Sequence, residues 1–185
     1  MPTHADLIRE PHGLYRKPAA PNQLTQGAMG FDSITPMPDG KKLLVRGLVP
    51  RFELVQYDQR SRQFIPFLSG ISADDLEFSR DGKWVVYVSE PDKTLWRSRI
   101  DGTDRLQLTS PPVLPIVPRW SPDGARIVYT DAQHGRSWRN LLVSAQGGPA
   151  TEMYPENDYQ CDPTWSPDGQ QLVYGRTPYV CRLEH

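Results

Sequence analysis

Apolar residues gather in this chain in short bursts with the two-residue period of a β-strand, and each burst follows a turn. Leu43-Leu-Val45, Trp84-Val-Val-Tyr87, Ile127-Val-Tyr129 and Leu172-Val-Tyr174 are runs of branched and aromatic residues that pack in strands rather than helices. Before three of them stands a second short segment ending in a large residue: Leu76-Glu-Phe78, Pro118-Arg-Trp120 and Pro163-Thr-Trp165. Between the paired segments lie Phe78-Ser-Arg-Asp-Gly82, Trp120-Ser-Pro-Asp-Gly124 and Trp165-Ser-Pro-Asp-Gly169, with Pro36-Met-Pro-Asp-Gly40 as a looser first copy. Ser at the first turn position hydrogen-bonds to local backbone, Pro presets φ at the second, Asp tolerates the third, and Gly closes the fourth without a side-chain clash. Each unit is predicted to open with a hairpin.

The spacing of these hairpins is regular. From Asp39 to Asp81 is 42 residues, from Asp81 to Asp123 another 42, and from Asp123 to Asp168, 45. Two further strands fit into each interval: 52–57 and 63–68 in the first, 94–100 and 105–109 in the second, 140–143 and 150–153 in the third. Four short antiparallel strands in about 40–45 residues is the size of one propeller blade. One blade cannot bury both its faces, so blades must stack around an axis. The expected fold is therefore all-β: a β-propeller of about four blades, three complete and two half.

In chain order, residues 1–13 carry little pattern and read as a polar leader or a piece of an upstream element. Leu14-Tyr-Arg-Lys17 and Asn22-Gln-Leu-Thr25 line up with Leu95-Trp-Arg-Ser98 and Leu106-Gln-Leu-Thr109, so 14–25 reads as the outer half of a blade. Whole blades are expected over 34–70, 76–110 and 118–154, and an inner half blade over 163–176, the propeller region ending near residue 182. The two halves would complete each other in a self-closing four-blade ring, or belong to a piece of a longer propeller. The closing Leu183-Glu-His185 resembles the start of a histidine tag and favours the piece. Open blade faces would then leave sticky edges, through which two chains could pair as a homodimer.

Composition changes this picture little. Nineteen prolines and fourteen glycines suit many turns and few helices. A net charge of −1 gives no electrostatic case for nucleic acid or an anionic membrane surface. No apolar run reaches the length of about 18 residues that a spanning helix needs. The two cysteines, Cys161 and Cys181, leave the redox compartment open.

The repeat, with its Trp-Ser-Pro-Asp-Gly turn, Tyr-ending second strand and Leu-Thr-like fourth strand, resembles the TolB-type, WD-repeat-like β-propeller repeat over about residues 14–176. The resemblance implies a bacterial propeller such as periplasmic TolB, a sensor-like domain joined to a winged-helix regulator or kinase, or the propeller of a prolyl-oligopeptidase-type peptidase. The compartment follows the relative: periplasmic if TolB-like, cytoplasmic if attached to a soluble regulator. Two positions depart from the pattern, Arg80 in place of Pro and Met37 in place of Ser.

Catalytic groups are not apparent in the sequence. A peptidase-type hydrolase needs a Gly-x-Ser-x-Gly elbow with Asp and His partners, and the chain has no such pentapeptide. His4 and His12 fall in the leader, His185 in the tag-like end, and His134 in a polar turn. Cys161, Cys181 and His134 lack the spacing of a zinc site, and Asp101-Gly-Thr-Asp104 lacks the longer acidic spacing of a calcium loop. No cofactor or metal is expected.

Comparing the repeats with one another separates structural positions from free ones. Three residues before the turn Asp stand Pro36, Phe78, Trp120 and Trp165, expected as wedges between blades. One residue earlier stand Thr35, Glu77, Arg119 and Thr164, turned the other way by strand alternation and so expected near the central channel. The loops leading into the inner strands, 27–31, 70–75, 111–117 and 156–162, share one rim and differ in chemistry, as a recognition surface would. On that rim Asp74, Asp75, Ile116, Asn157, Asp158 and Tyr159 join the partner-binding candidates. The expected function is a non-enzymatic scaffold binding a protein or peptide within a bacterial signalling, regulatory or envelope protein. The alternative is the gating propeller of a peptidase whose catalytic domain lies outside this stretch; a small-ligand or sugar site in the channel is a minor third.

Overall fold

The computed structural model describes residues 29–133, 135–155 and 159–176, and among them every regular element is a β-strand. The stretches 1–13, 14–25 and 183–185, with His134, Asn157, Asp158 and Cys181, lie outside the described residues. The second repeat forms one antiparallel sheet in chain order, β5 (Ala73–Phe78), β6 (Trp84–Ser89), β7 (Thr94–Arg99) and β8 (Leu106–Gln107). The third does the same with β9 (Pro115–Trp120), β10 (Arg126–Asp131), β11 (Arg139–Ser144) and β12 (Thr151–Glu152). A two-stranded sheet follows, β13 (Cys161–Trp165) with β14 (Leu172–Gly175). These are the stacked antiparallel sheets of a β-propeller.

The first repeat departs from the single four-stranded sheet expected over 34–70. Its strands fall into two separate pairs, β1 (Gly30–Pro36) with β2 (Leu43–Leu48) and β3 (Val55–Asp58) with β4 (Gln63–Pro66). The connection between β2 and β3 accounts for the break. Pro50 removes a backbone donor, and the Phe52 N–H is taken by the Ser72 hydroxyl at 2.9 Å. The connection is thus tied to the loop before β5 instead of extending the ladder between β2 and β3.

The second and third sheets are packed face to face, which explains why their second strands are apolar at successive positions. In β6, Val86 and Val88 enter a core with Leu95, Leu108, Trp120, Ile127, Tyr129 and Val143. Val85 and Tyr87 point the other way, into a second core with Leu68 and Ala73. A strand covered on both faces has no polar side to present. Burying each such side chain contributes about 1.5–3 kcal/mol. Burial also pushes the Tyr129 phenol up from its usual pKa, with the Asp131 charge adding to the effect.

Three turns share one bonding pattern. The Ser121 hydroxyl donates to Asp123 Oδ1 at 2.5 Å and accepts the Arg126 N–H at 2.9 Å, while the Ala125 N–H donates to Asp123 Oδ1 at 2.9 Å. Ser79 with Asp81 and Ser166 with Asp168 repeat these bonds. In the first copy Met37 offers no hydroxyl, and only the Lys41 N–H donates to Asp39. The closing glycines need positive φ, from +63° at Gly40 to +72° at Gly169.

Candidate partner-binding site

The inner strand β9 contacts both β5 before it and β13 after it. Each carries one extra residue in a bulge: the pairing shifts register between Asp74 and Glu77, between Ile116 and Arg119, and between Cys161 and Thr164. At the same repeat position in each bulge the backbone is left-handed, with φ of 48° at Asp75, 49° at Val117 and 50° at Asp162. Two residues beyond that point come Glu77, Arg119 and Thr164.

These three residues converge on one hollow of about 270 Å³. It opens at the ends of the inner strands that run into the Ser-x-Asp-Gly turns, so Pro122 and Pro167 of the turns line it too. Glu77 is tied to the next blade: its Oε2 accepts the Trp120 N–H at 2.6 Å, and its Oε1 lies 3.9 Å from Arg119 Nε. Burial raises the Glu77 carboxyl above its ordinary pKa, and the Trp120 N–H and the Arg119 charge pull it part of the way back. The Trp165 indole N–H reaches back to the Arg119 carbonyl at 3.4 Å, and Arg126 stacks on the same ring at 5.2 Å. The wedge aromatics thus lean on the preceding blade, as Phe78 does on Phe67.

The remaining candidates do not join this cluster. Thr35 lies on β1, in the separate first hairpin, and is exposed. Asp74 borders the bulge and Asp75 lies in it, where the Asp75 carboxylate accepts the Val117 N–H at 3.0 Å and the Asp75 N–H bonds Asp74 at 2.8 Å. Asp75 is thereby an inter-blade tie. Ile116 borders the bulge of β9 as Asp74 borders that of β5, and is half-buried. Tyr159 is buried, its ring stacked on Trp138 at 5.6 Å, a packing position rather than a rim position. Cys161 is also buried.

One residue that the repeat comparison did not put forward belongs to the site. Arg80, the departure from Pro within the second turn, lines the same hollow and donates to the Pro167 carbonyl at 3.5 Å. The departure itself was the signal. A larger hollow of about 460 Å³ lies between residues 51–54 and 67–72, away from the channel candidates. Among the described residues, no group of three or more His, Cys, Asp or Glu is placed to hold a metal ion, and no helix is long and apolar enough to cross a membrane.

Among solved structures, TolB from Acinetobacter baumannii superposes over 82% of this chain with a TM-score of 0.55 at 17% identity. The chain has the TolB-type propeller fold. The nidogen/laminin complex matches over 66% of the chain with a TM-score of 0.53 at 12% identity, and the tricorn protease over 73% with 0.51 at 15%. The chain spans only 39%, 48% and 14% of those three structures' own chains, respectively. No protein-family model matches the sequence, and no curated protein matches it.

Proposed function

We propose that this chain is a non-catalytic β-propeller module that recognises a protein or peptide at the turn end of its channel, within a bacterial signalling, regulatory or envelope protein. One observation carries the reading. The position that varies freely among the repeats, four before the turn Asp, brings Glu77, Arg119 and Thr164 from three blades into one hollow. Positions whose chemistry differs from repeat to repeat and which gather in a concavity are where recognition is built. The nidogen/laminin structure is itself a complex of proteins, a precedent for partner binding among chains of similar fold. For the gating-propeller alternative, the likeness to the tricorn protease speaks for fold alone.

The test is a selection of displayed peptides on the full chain, counter-screened against Thr164→Trp. Thr164 is exposed, so the larger ring is accommodated and fills the hollow. Selected peptides are expected to lose binding to the variant. Peptides that bind both proteins equally would place recognition elsewhere and overturn the reading.

A further inference from the structure

We infer that the hollow between Glu77, Arg119 and Thr164 recognises a carboxylate carried by an extended peptide. The inference rests on the peptide-binding reading above and gives the partner a chemistry. Its starting point is Arg80. The residue before the turn Asp is Pro38, Pro122 and Pro167 in the other three repeats. The turn at Arg80 closes with the same bonds as those at Pro122 and Pro167, so turn geometry does not call for a cation there. What the substitution does is place a guanidinium at the mouth of the hollow, 87 residues in sequence from the Pro167 carbonyl it touches. That contact is long, 3.5 Å, and engages one of the five N–H donors an arginine carries.

Arg119 is the second departure of this kind, a cation at a position that is Thr in two other repeats. Its Nη1 bonds the neighbouring Pro118 carbonyl at 3.0 Å and its Nε lies 3.9 Å from Glu77, too far for a hydrogen bond. Glu77 meanwhile has the Trp120 N–H on its other oxygen. The charged lining is thus two guanidinia against one carboxylate that already has partners, and none of the turn aspartates lines the hollow. Thr164 adds a hydroxyl, and Trp165, Pro122 and Pro167 supply apolar walls.

A single excess positive charge suits a monoanion, and planar guanidinium forks match a carboxylate in particular. The size agrees. A volume of about 270 Å³ is at the small end of ligand sites, room for one or two side chains of an extended peptide and not for a folded surface.

The test is an NMR titration of the full chain, read at the Trp165 indole N–H. The probes are acetyl-Gly-Gly-Asp-Glu with a free C-terminus, the same peptide amidated, and amidated acetyl-Gly-Gly-Asn-Gln. An acidic peptide is expected to give a saturating shift, with the neutral peptide at least about tenfold weaker, the worth of one charge-assisted hydrogen bond. Binding by the free acid alone identifies a chain terminus as the source, and equal binding by the amidated acidic peptide identifies a side chain; either supports the inference. Arg80→Pro and Arg119→Thr each install the residue that another repeat carries, which keeps the fold, and each should weaken acidic-peptide binding about tenfold. Equal binding of the neutral peptide, or acidic-peptide binding unchanged in both variants, would overturn the carboxylate assignment while leaving peptide binding at the hollow intact. A shift with none of the three peptides also overturns it, and the broader reading is then decided separately by the display selection.

Discussion

At the scale of single residues, the turn serine acts directly on the charge of the turn aspartate. Asp81, Asp123 and Asp168 all sit below the ordinary carboxylate range, chiefly because a serine hydroxyl donates to the charged oxygen and next because a backbone N–H does. A depressed folded pKa stabilises the folded state fully above the unfolded value, about 3.9 for Asp, and that stabilisation is lost as pH falls through the folded value. The chain should therefore lose stability on acidification below about pH 4. Ser121 is buried, and removing its hydroxyl leaves the Arg126 N–H without its acceptor. Ser121→Ala is expected to cost about 1–2 kcal/mol in urea denaturation at neutral pH and to lose less than the wild type on acidification. A variant with unchanged neutral stability, or an equally steep acid loss, would contradict this account. The turn was legible in the sequence because its determinants are four adjacent residues. The role of Asp was only half legible, since tolerance of the turn backbone does not reveal that its carboxylate binds the serine and the N–H two residues on.

At the scale of elements, the inner-strand bulge is what the alternation pattern could not show. Period-two reading turns Glu77, Arg119 and Thr164 away from the wedge residues next to them, and no irregularity intervenes between the two positions. The same alternation cannot be carried back to Asp74, Asp75 and Ile116, which are put forward from their loops, because the extra residue in each bulge breaks the register between them. The sequence did hold a hint. Pro118 and Pro163 interrupt two of the inner strands, and proline within a sheet marks bulges or edges. The bulge places Val117, a β-branched residue, at φ 49°, where its counterparts are Asp75 and Asp162. Left-handed backbone costs a non-glycine residue about 1–3 kcal/mol, least for Asn and Asp. Val117→Asn keeps the N–H that bonds Asp75 and should stabilise the chain by about 1 kcal/mol, seen as a higher urea midpoint with unchanged slope. A lower midpoint would show that Val117 contributes more by packing than it loses to its backbone.

At the scale of the whole molecule, burial is uneven. The second and third sheets bury both faces against neighbours, while the first repeat, split into two hairpins, packs Leu54, Phe67 and Leu68 against the second sheet and leaves most of its other apolar residues in water. Ile34 is 63% exposed, Leu44 68% and Phe64 71%, and Val45, Val55 and Tyr57 are exposed beside them. Sequence pattern could establish that these residues belong on strands, but the faces a strand covers depend on what stands next to it, and pattern says nothing of that. Two-stranded hairpins are marginal in water on their own, and apolar surface on both sides of them favours association. Pairing with a second copy would bury it at about 25 cal/mol for each Å² removed from water, against the entropy lost on association. Self-association is therefore the expected behaviour of this chain in solution. Light scattering across a concentration series should show the weight-average mass rising from the monomer's toward the dimer's. Leu44→Lys combined with Phe64→Lys should hold it at the monomer, because both side chains already face water and the charges cost the monomer little. A mass that stays at the monomer value at every concentration would overturn the expectation that these exposed apolar residues drive association.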